Sequence, residues 1–444
     1  MIIKNALVIT PTGSTKADVF FSEKTGRIEA VAQDVDKRGE EVIDAEGMLL
    51  MPGCVDMHVH LRDPGFTHKE GFLTGTRAAI AGGVTTVCDM PNTNPPTDAI
   101  SALQAKKEIA QSKAVCDYLL YFGANTQNIG IVQQAFDSGG IAGVKVFMGA
   151  TTATAASFPK EIFEKFIGLV AVHAEDGQIV AQNEEAAKKG LGKNATVFHH
   201  NKIRTPKAAE KAVGEAIAAL ESSKNAGARL HICHASTAGE LKLIEAAKRR
   251  GVKVTCEVTP HHLFLNEDDA AKRGNTLKVN PPLRSEHDRQ ALWTAIAEGI
   301  ADCVASDHAP HLLQEKQQGY WEAPSGVPGI ETMLPLMVDA ALEEKISING
   351  VVELLCANPA KIVGLEGKKG GIERGCDADL VLIDPSKTFQ LKSSQLYTKC
   401  AWTPFEGKTV RGKIEKVFLR GSEGYDGKSS FAKPGSGRPA DARS

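Results

Sequence analysis

The chain has no apolar run close to the ~20 residues that a membrane-spanning helix requires. No basic segment followed by an apolar stretch stands at its start, so neither a membrane span nor a signal peptide is expected. It also lacks any Cys-x-x-Cys pair. Its nine cysteines, Cys54, Cys88, Cys116, Cys233, Cys256, Cys303, Cys356, Cys376 and Cys400, are scattered singly. An odd number of isolated cysteines in strand-like surroundings favours reduced, buried thiols in a cytoplasmic protein over a disulfide framework or a cysteine zinc site. An excess of charge of one sign is missing too. A formal net charge of -2 over 444 residues gives no reason to expect nucleic acid or a membrane surface as partner, and points to a small molecule. The 42% hydrophobic and 24% charged residues are ordinary for a globular protein, and the length suits one large domain with a smaller one.

No Gly-x-Gly-x-x-Gly follows the first strand of the central region, which argues against a dinucleotide-binding open sheet. What is present is repetition. From Gly53 to Leu355, short apolar runs such as GVTTVCDM, IAGVKVFMG and GLVAVHAED alternate with Ala/Glu/Lys-rich stretches at helical spacing. About eight such βα units over ~300 residues predict an α/β fold, a (β/α)8 TIM barrel, over 51–358. Residues 1–50 and 359–430 read as short alternating strands broken by Thr-Gly turns. They are expected to meet as one small β-rich domain. The tail 431–444, rich in Gly, Pro, Ser and Ala, is expected to be disordered.

A barrel places its chemistry at the C-terminal ends of its strands. There the sequence is repetitive: His58 and His60 end VDMHVH, Lys145 interrupts GVKVFMG, His173 ends LVAVH, His231 and His234 flank HICHAS, and Asp307 ends CVASD. Alternate residues of a strand share a face, so His58 and His60 can reach one metal ion. A lone histidine could equally be a satisfied core residue. Several, each on a different βα unit, are hard to attribute to packing, since every buried imidazole needs its own partner. Lys145 must be paired with a carboxylate or serve chemistry; a deprotonated amine there could take up carbon dioxide and become a two-oxygen carbamate.

The segments DMHVHLRDPGFTHKEGFLTGTRAAIAGGVTTVCDMPNTNPP, GVKVFMG, VHAED, HICHAST, TCEVTPHHLFL, KVNPPLR, SDHAPH and PGIETMLPL together resemble the dihydroorotases, in the cyclic amidohydrolase group of the amidohydrolase superfamily. The likeness spans essentially the whole chain. It implies two zinc ions: His58, His60 and Asp307 on the more buried one, His173 and His234 on the other, and a carboxylated Lys145 with a hydroxide bridging them. His231 is then structural. The resemblance further implies that His60, Arg62, Asn92, Asn280, His311 and the backbone around Ser325 and Gly326 contact the substrate. Arg62 would grip its carboxylate in two hydrogen bonds. Taken alone, Arg62 reads equally as a surface ion pair, and the two asparagines as turn residues beside prolines.

The activity implied is the reversible cyclisation of N-carbamoyl-L-aspartate to dihydroorotate in pyrimidine biosynthesis, with the hydroxide as nucleophile and Asp307 as proton shuttle. An allantoinase or a dihydropyrimidinase/hydantoinase with the same metal centre is the alternative. A ligand-free scaffold for a transcarbamoylase partner is disfavoured by the complete ligand set, although such a partner, like a homodimer, is a family expectation. Glu175, Asp176, Glu257, His261 and His262 are expected to stand behind the ligands or serve structure. His68, His199, His200 and His287 are expected to be solvated. The segment 311–326 is either a lid over the site or a plain surface loop.

Overall fold

The structure, a computed structural model, describes residues 1–35, 39–149 and 158–441. Eight strands form one parallel sheet in sequential order: Cys54–Val59, Val84–Asp89, Asp117–Gly123, Ile141–Phe147, Gly168–His173, Ala228–Ile232, Val254–Val258 and Cys303–Val304. Residues just past the last strand meet the first again. Val59 bridges His308, and the His60 N–H donates to the His308 carbonyl at 2.8 Å, so the sheet curls into the expected barrel. The strands Cys54–Val59, Val84–Asp89 and Gly168–His173 are buried at every position, which is why they read as continuous apolar runs rather than alternating ones.

Helices cover the outside. In Pro206–Ser222 the buried positions Ala209, Ala212, Val213, Ala216, Ile217 and Leu220 follow the helical repeat, Thr205 caps the start, and Pro206 occupies the first turn where its missing N–H costs nothing. Ala238–Arg249 begins with a reciprocal capping box between Thr237 and Glu240.

A second sheet of eight strands is built from both ends of the chain. Leu49–Pro52 from the N-terminal part pairs antiparallel with Leu380–Gln390 from the C-terminal part, with Leu50 opposite Leu382. The composite β unit expected from the sequence is therefore present. It is pinned to the barrel by a buried ion cluster. The Lys369 ammonium lies 2.6 Å from Asp117 at the start of the third barrel strand, 2.6 Å from Asp379 and 3.0 Å from Asp377.

The tail requires a correction. Residues 431–441 are ordered against the molecule: Phe431 bridges Tyr425, Pro439 bridges Tyr118, and the Ala440 N–H donates to the Tyr118 carbonyl at 2.8 Å. A Cβ on Gly437 would lie 2.0 Å from the Cys116 carbonyl, so the glycine here permits a close approach. Composition misled because the segment is held by backbone hydrogen bonds, by close approach of small residues and by one aromatic side chain, Phe431, packed on Tyr425 and Tyr397. Residues 442–444 of the expected tail lie outside the described residues.

Candidate active site

The C-terminal ends of the barrel strands open into one pocket. The side chains of His58, His60, Lys145, His173, His234 and Asp307 line its floor. Arg62, Asn92, Asn280, Ser325 and Gly326 form its wall, together with Phe147 and Ala309, which sequence reasoning had not singled out. Both fall inside quoted segments, GVKVFMG and SDHAPH, but neither carries a polar side chain that would have marked it. His311 is not part of the lining. It is fully buried behind Arg62, with its Nε2 3.1 Å from both Arg62 Nη2 and the Ser325 carbonyl.

Three pocket residues hold a left-handed backbone that side chains other than glycine rarely adopt: Arg62 (φ 61°), His234 (φ 38°) and Asp307 (φ 43°). Each follows the end of a barrel strand, where the chain turns sharply and aims the side chain inward. Such strain persists only where the surrounding fold enforces it, and it concentrates at working sites.

The imidazoles are oriented from behind. His58 Nδ1 is held by the Glu257 carboxylate, whose other oxygen lies 3.0 Å from His231 Nε2. His60 Nδ1 is 2.7 Å from Asn92 Oδ1, and His173 Nε2 is 3.0 Å from Glu175 Oε2. Those acceptors take the outer N–H of His60 and His173, so the inner nitrogens of these two rings are left as lone pairs pointing into the pocket, whereas His234 Nδ1 is buried with no hydrogen-bond partner among the described residues. His58 Nε2 and His60 Nε2 converge on Asp307 Oδ1 at 3.3 and 3.1 Å. His173 Nδ1 and His234 Nε2 face one another at 2.9 Å. Inward lone pairs backed by outward acceptors are what metal-ligating histidines need. His58, His234 and Asp307 each present a donor atom within 4.8 Å of the others, so the donor set fits a cation.

Electrostatics separate His58 from the other rings: burial would lower it, but Glu257 and Asp307 outweigh burial and raise it to about 10, so it holds a proton between the two carboxylates. Burial pushes His60 down to about 3 and moves His173 and His234 below the ordinary imidazole range, which keeps these rings neutral. For Asp307, burial opposes ionisation, but His58 and His60 outweigh it and hold the carboxyl well below its usual range. Glu175 is held low in the same way, by Arg204 and His173 against burial. Lys145, 1% exposed on the fourth strand, has its Nζ 2.8 Å from Cys233 Sγ. Among the described residues it has no carboxylate in ion-pair distance, so the ordinary explanation for a buried lysine is not met here.

Around this centre, His231 is bound on both nitrogens, by Glu257 and by Thr255 Oγ1 at 2.9 Å, and is occupied structurally. His262 is likewise tied between Thr259 and the Pro281 carbonyl. Asp176 caps the helix Gly177–Leu191 and pairs with Lys211. The sequence reading of His200 as solvated is overturned. It is 4% exposed, with Nδ1 2.7 Å from the Tyr320 hydroxyl and Nε2 3.0 Å from Asn280 Oδ1. Its polar local sequence concealed a tertiary contact 120 residues away.

A barrel with one inward-facing group of histidines, a lysine and an aspartate defines a hydrolase class able to use metal ions, and the comparisons with known proteins agree. The amidohydrolase family model matches residues 49–424. The dihydroorotase of Halobacterium salinarum is 41% identical over 410 residues, 90% of this chain and 92% of that one. The allantoinase of Streptomyces avermitilis is 35% identical, covering 95% and 94%. The L-hydantoinase (dihydropyrimidinase) structure from Arthrobacter aurescens aligns with a TM-score of 0.93 at 30% identity over 98% of each chain. The chain belongs to the amidohydrolase family and is an enzyme that hydrolyses amide bonds. Its resemblance to dihydroorotases extends to relatives 36–41% identical over most of its length.

Proposed function

We propose that this protein is a dihydroorotase, interconverting N-carbamoyl-L-aspartate and dihydroorotate in pyrimidine biosynthesis. The observation that carries this reading is Arg62. A guanidinium 2% exposed lines the pocket beside His60 and Asp307, anchored through Nε to the Pro310 carbonyl at 3.2 Å, with no carboxylate of the protein in ion-pair distance among the described residues. Such a group is poised for a carboxylate on the substrate ring, which hydantoin and allantoin lack.

The donor set supports a reading of two zinc ions: His58, His60 and Asp307 would hold one, His173 and His234 the other, and a carboxylated Lys145 would complete the set. When bound, the ions lower the pKa of a water and polarise the ring carbonyl. Asp307 receives the proton of the attacking water and delivers it to the departing ring nitrogen, a poor leaving group unless protonated. In ring closure it works in reverse, so cyclisation is favoured at lower pH. Arg62 grips the substrate carboxylate, Asn280 and the Ser325–Gly326 backbone orient the ring, and Asn92 both holds His60 and borders the substrate. His311 acts through Arg62. The catalytic unit spans 51–358, and the nine buried free thiols support a reducing, cytoplasmic setting.

The allantoinase and hydantoinase likenesses support a second reading, the same centre acting on neutral rings. The test combines elemental analysis of the purified protein with initial rates on dihydroorotate, N-carbamoyl-L-aspartate, allantoin and hydantoin. About two zinc ions per chain are expected, with turnover confined to the first two compounds. Turnover of allantoin or hydantoin alone would replace the assignment.

A further inference from the structure

The segment 311–326 is fastened by two lysines that the reaction does not use. Lys316, fully buried, points its ammonium at three backbone carbonyls: Lys278 at 2.8 Å, Pro324 at 2.8 Å and Gly326 at 2.9 Å. Burial, with Lys278 and Arg62 adding to it, pushes Lys316 well below the usual lysine range, and burial with Arg204 takes Lys278 down to about 8. The three carbonyls oppose that shift, because three acceptors call for three N–H donors and only the ammonium has them. Lys278, 8% exposed, donates to the Tyr320 carbonyl at 2.6 Å and the Ala323 carbonyl at 2.8 Å and lies over the Tyr320 ring. Among the described residues, neither has a carboxylate in ion-pair distance. The Lys278 carbonyl also accepts the Gly326 N–H at 2.9 Å, so both lysines converge on the strip that forms the pocket wall. Gly326 sits at φ 140°, and a Cβ there would lie 2.5 Å from the Ala309 carbonyl and 3.1 Å from the His311 ring, so the strip runs close against the residues behind it.

Two buried cations without counterions are costly unless something offsets them. Here the carbonyls of the strip supply the offset, and Ser325 and Gly326 of that strip line the same pocket as Arg62, which is close enough to Lys316 to act on its charge. We propose that Lys316 and Lys278 are positioning residues for substrate choice. They lock 320–326 as a fixed wall rather than a lid, and their uncompensated charge favours a ring that carries a carboxylate over the same ring without one. This rests on the dihydroorotase reading and identifies residues behind its selectivity.

The test compares zinc-loaded wild type, Lys316→Met and Lys278→Gln. It measures kcat and KM for dihydroorotate, and the inhibition constant of dihydrouracil, the equivalent ring without the carboxylate. For one buried charge at moderate distance, KM for dihydroorotate should rise about tenfold, while kcat and the dihydrouracil constant move less than about threefold. Lys278→Gln, at the less buried site, keeps the test decisive if Lys316→Met does not fold. Equal changes for both rings would reduce the lysines to structural staples and overturn the proposal, as would no change in either. A wild type that turns over no dihydroorotate would instead overturn the parent assignment, and this inference with it.

Discussion

Replacing Arg62 by lysine separates charge from geometry at the pocket wall. The guanidinium is anchored through Nε to Pro310 and backed by His311, and burial pushes it down to about 10, so it remains protonated at neutral pH. It can offer a substrate carboxylate two charge-assisted hydrogen bonds, each of about 1.5–3 kcal/mol. A lysine keeps the charge but not the planar fork, and one of the two bonds is lost. That predicts a fall of about 10- to 150-fold in kcat/KM for dihydroorotate, at about 1.4 kcal/mol per factor of ten. The loss should appear in both reaction directions, since the carboxylate is present in both substrates. Inhibition by dihydrouracil, which has no carboxylate, should be unchanged within about threefold. The assay is steady-state kinetics of Arg62→Lys beside wild type, with matched zinc content. A variant within about threefold of wild type on dihydroorotate, or one equally impaired for both rings, would refute the idea that Arg62 recognises a carboxylate.

Asp307→Asn should leave the fold intact and remove most turnover; a purified variant near the wild-type rate would rule out the shuttle. Glu257→Gln removes the carboxylate that orients both His58 and His231, and should weaken zinc binding about 10- to 100-fold in chelator competition. Lys369→Met removes the cation shared by Asp117, Asp377 and Asp379 in a buried cluster and leaves Arg420 as the ion-pair partner of Asp117. Burial alone would depress this lysine, but the three aspartates outweigh it and hold its pKa above the usual range, so loss of about 3–5 kcal/mol in denaturant titration is expected. Burial, with Arg204 and Lys278 adding to it, pushes His200 down to about 3. An unfolded chain would bind that proton below about 6.5 while the folded one does not, so between about 6.5 and 3 stability falls as pH falls. The contribution approaches about 1.4 kcal/mol per pH unit within that window. In thermal melts from about pH 7 to pH 4, His200→Gln should show a shallower loss; identical slopes would contradict this.

Much of the fold and the site's inventory is carried by local patterning. Eight βα repeats predict a barrel because a strand buried on both faces must be continuously apolar and its covering helix amphipathic. Histidines, a lysine and an aspartate at strand ends fall where a barrel gathers its chemistry, so His58, His60, Lys145, His173, His234 and Asp307 could be named before any contact was known. The pairing of the two chain ends in one sheet was also visible as a shared texture of short alternating strands.

Other features depend on contacts between residues distant in the chain. His200 looks solvated until Tyr320 and Asn280 close over it, and His311 looks like a pocket residue until it stands behind Arg62. Lys316 lies in an unremarkable polar stretch, yet its ammonium is fully buried because carbonyls 8, 10 and 38 residues away turn toward it. The tail from 431 to 441 carries little to bury, yet its backbone pairs with the edge of a barrel strand. Sequence by itself determined which elements form and which chemical groups reach the mouth of the barrel, because periodicity and residue type act locally. Only the tertiary structure decided which of those groups face the pocket, which stand behind it and where buried charge goes unpaired, because backbone carbonyls and distant side chains, absent from any local pattern, supply the partners.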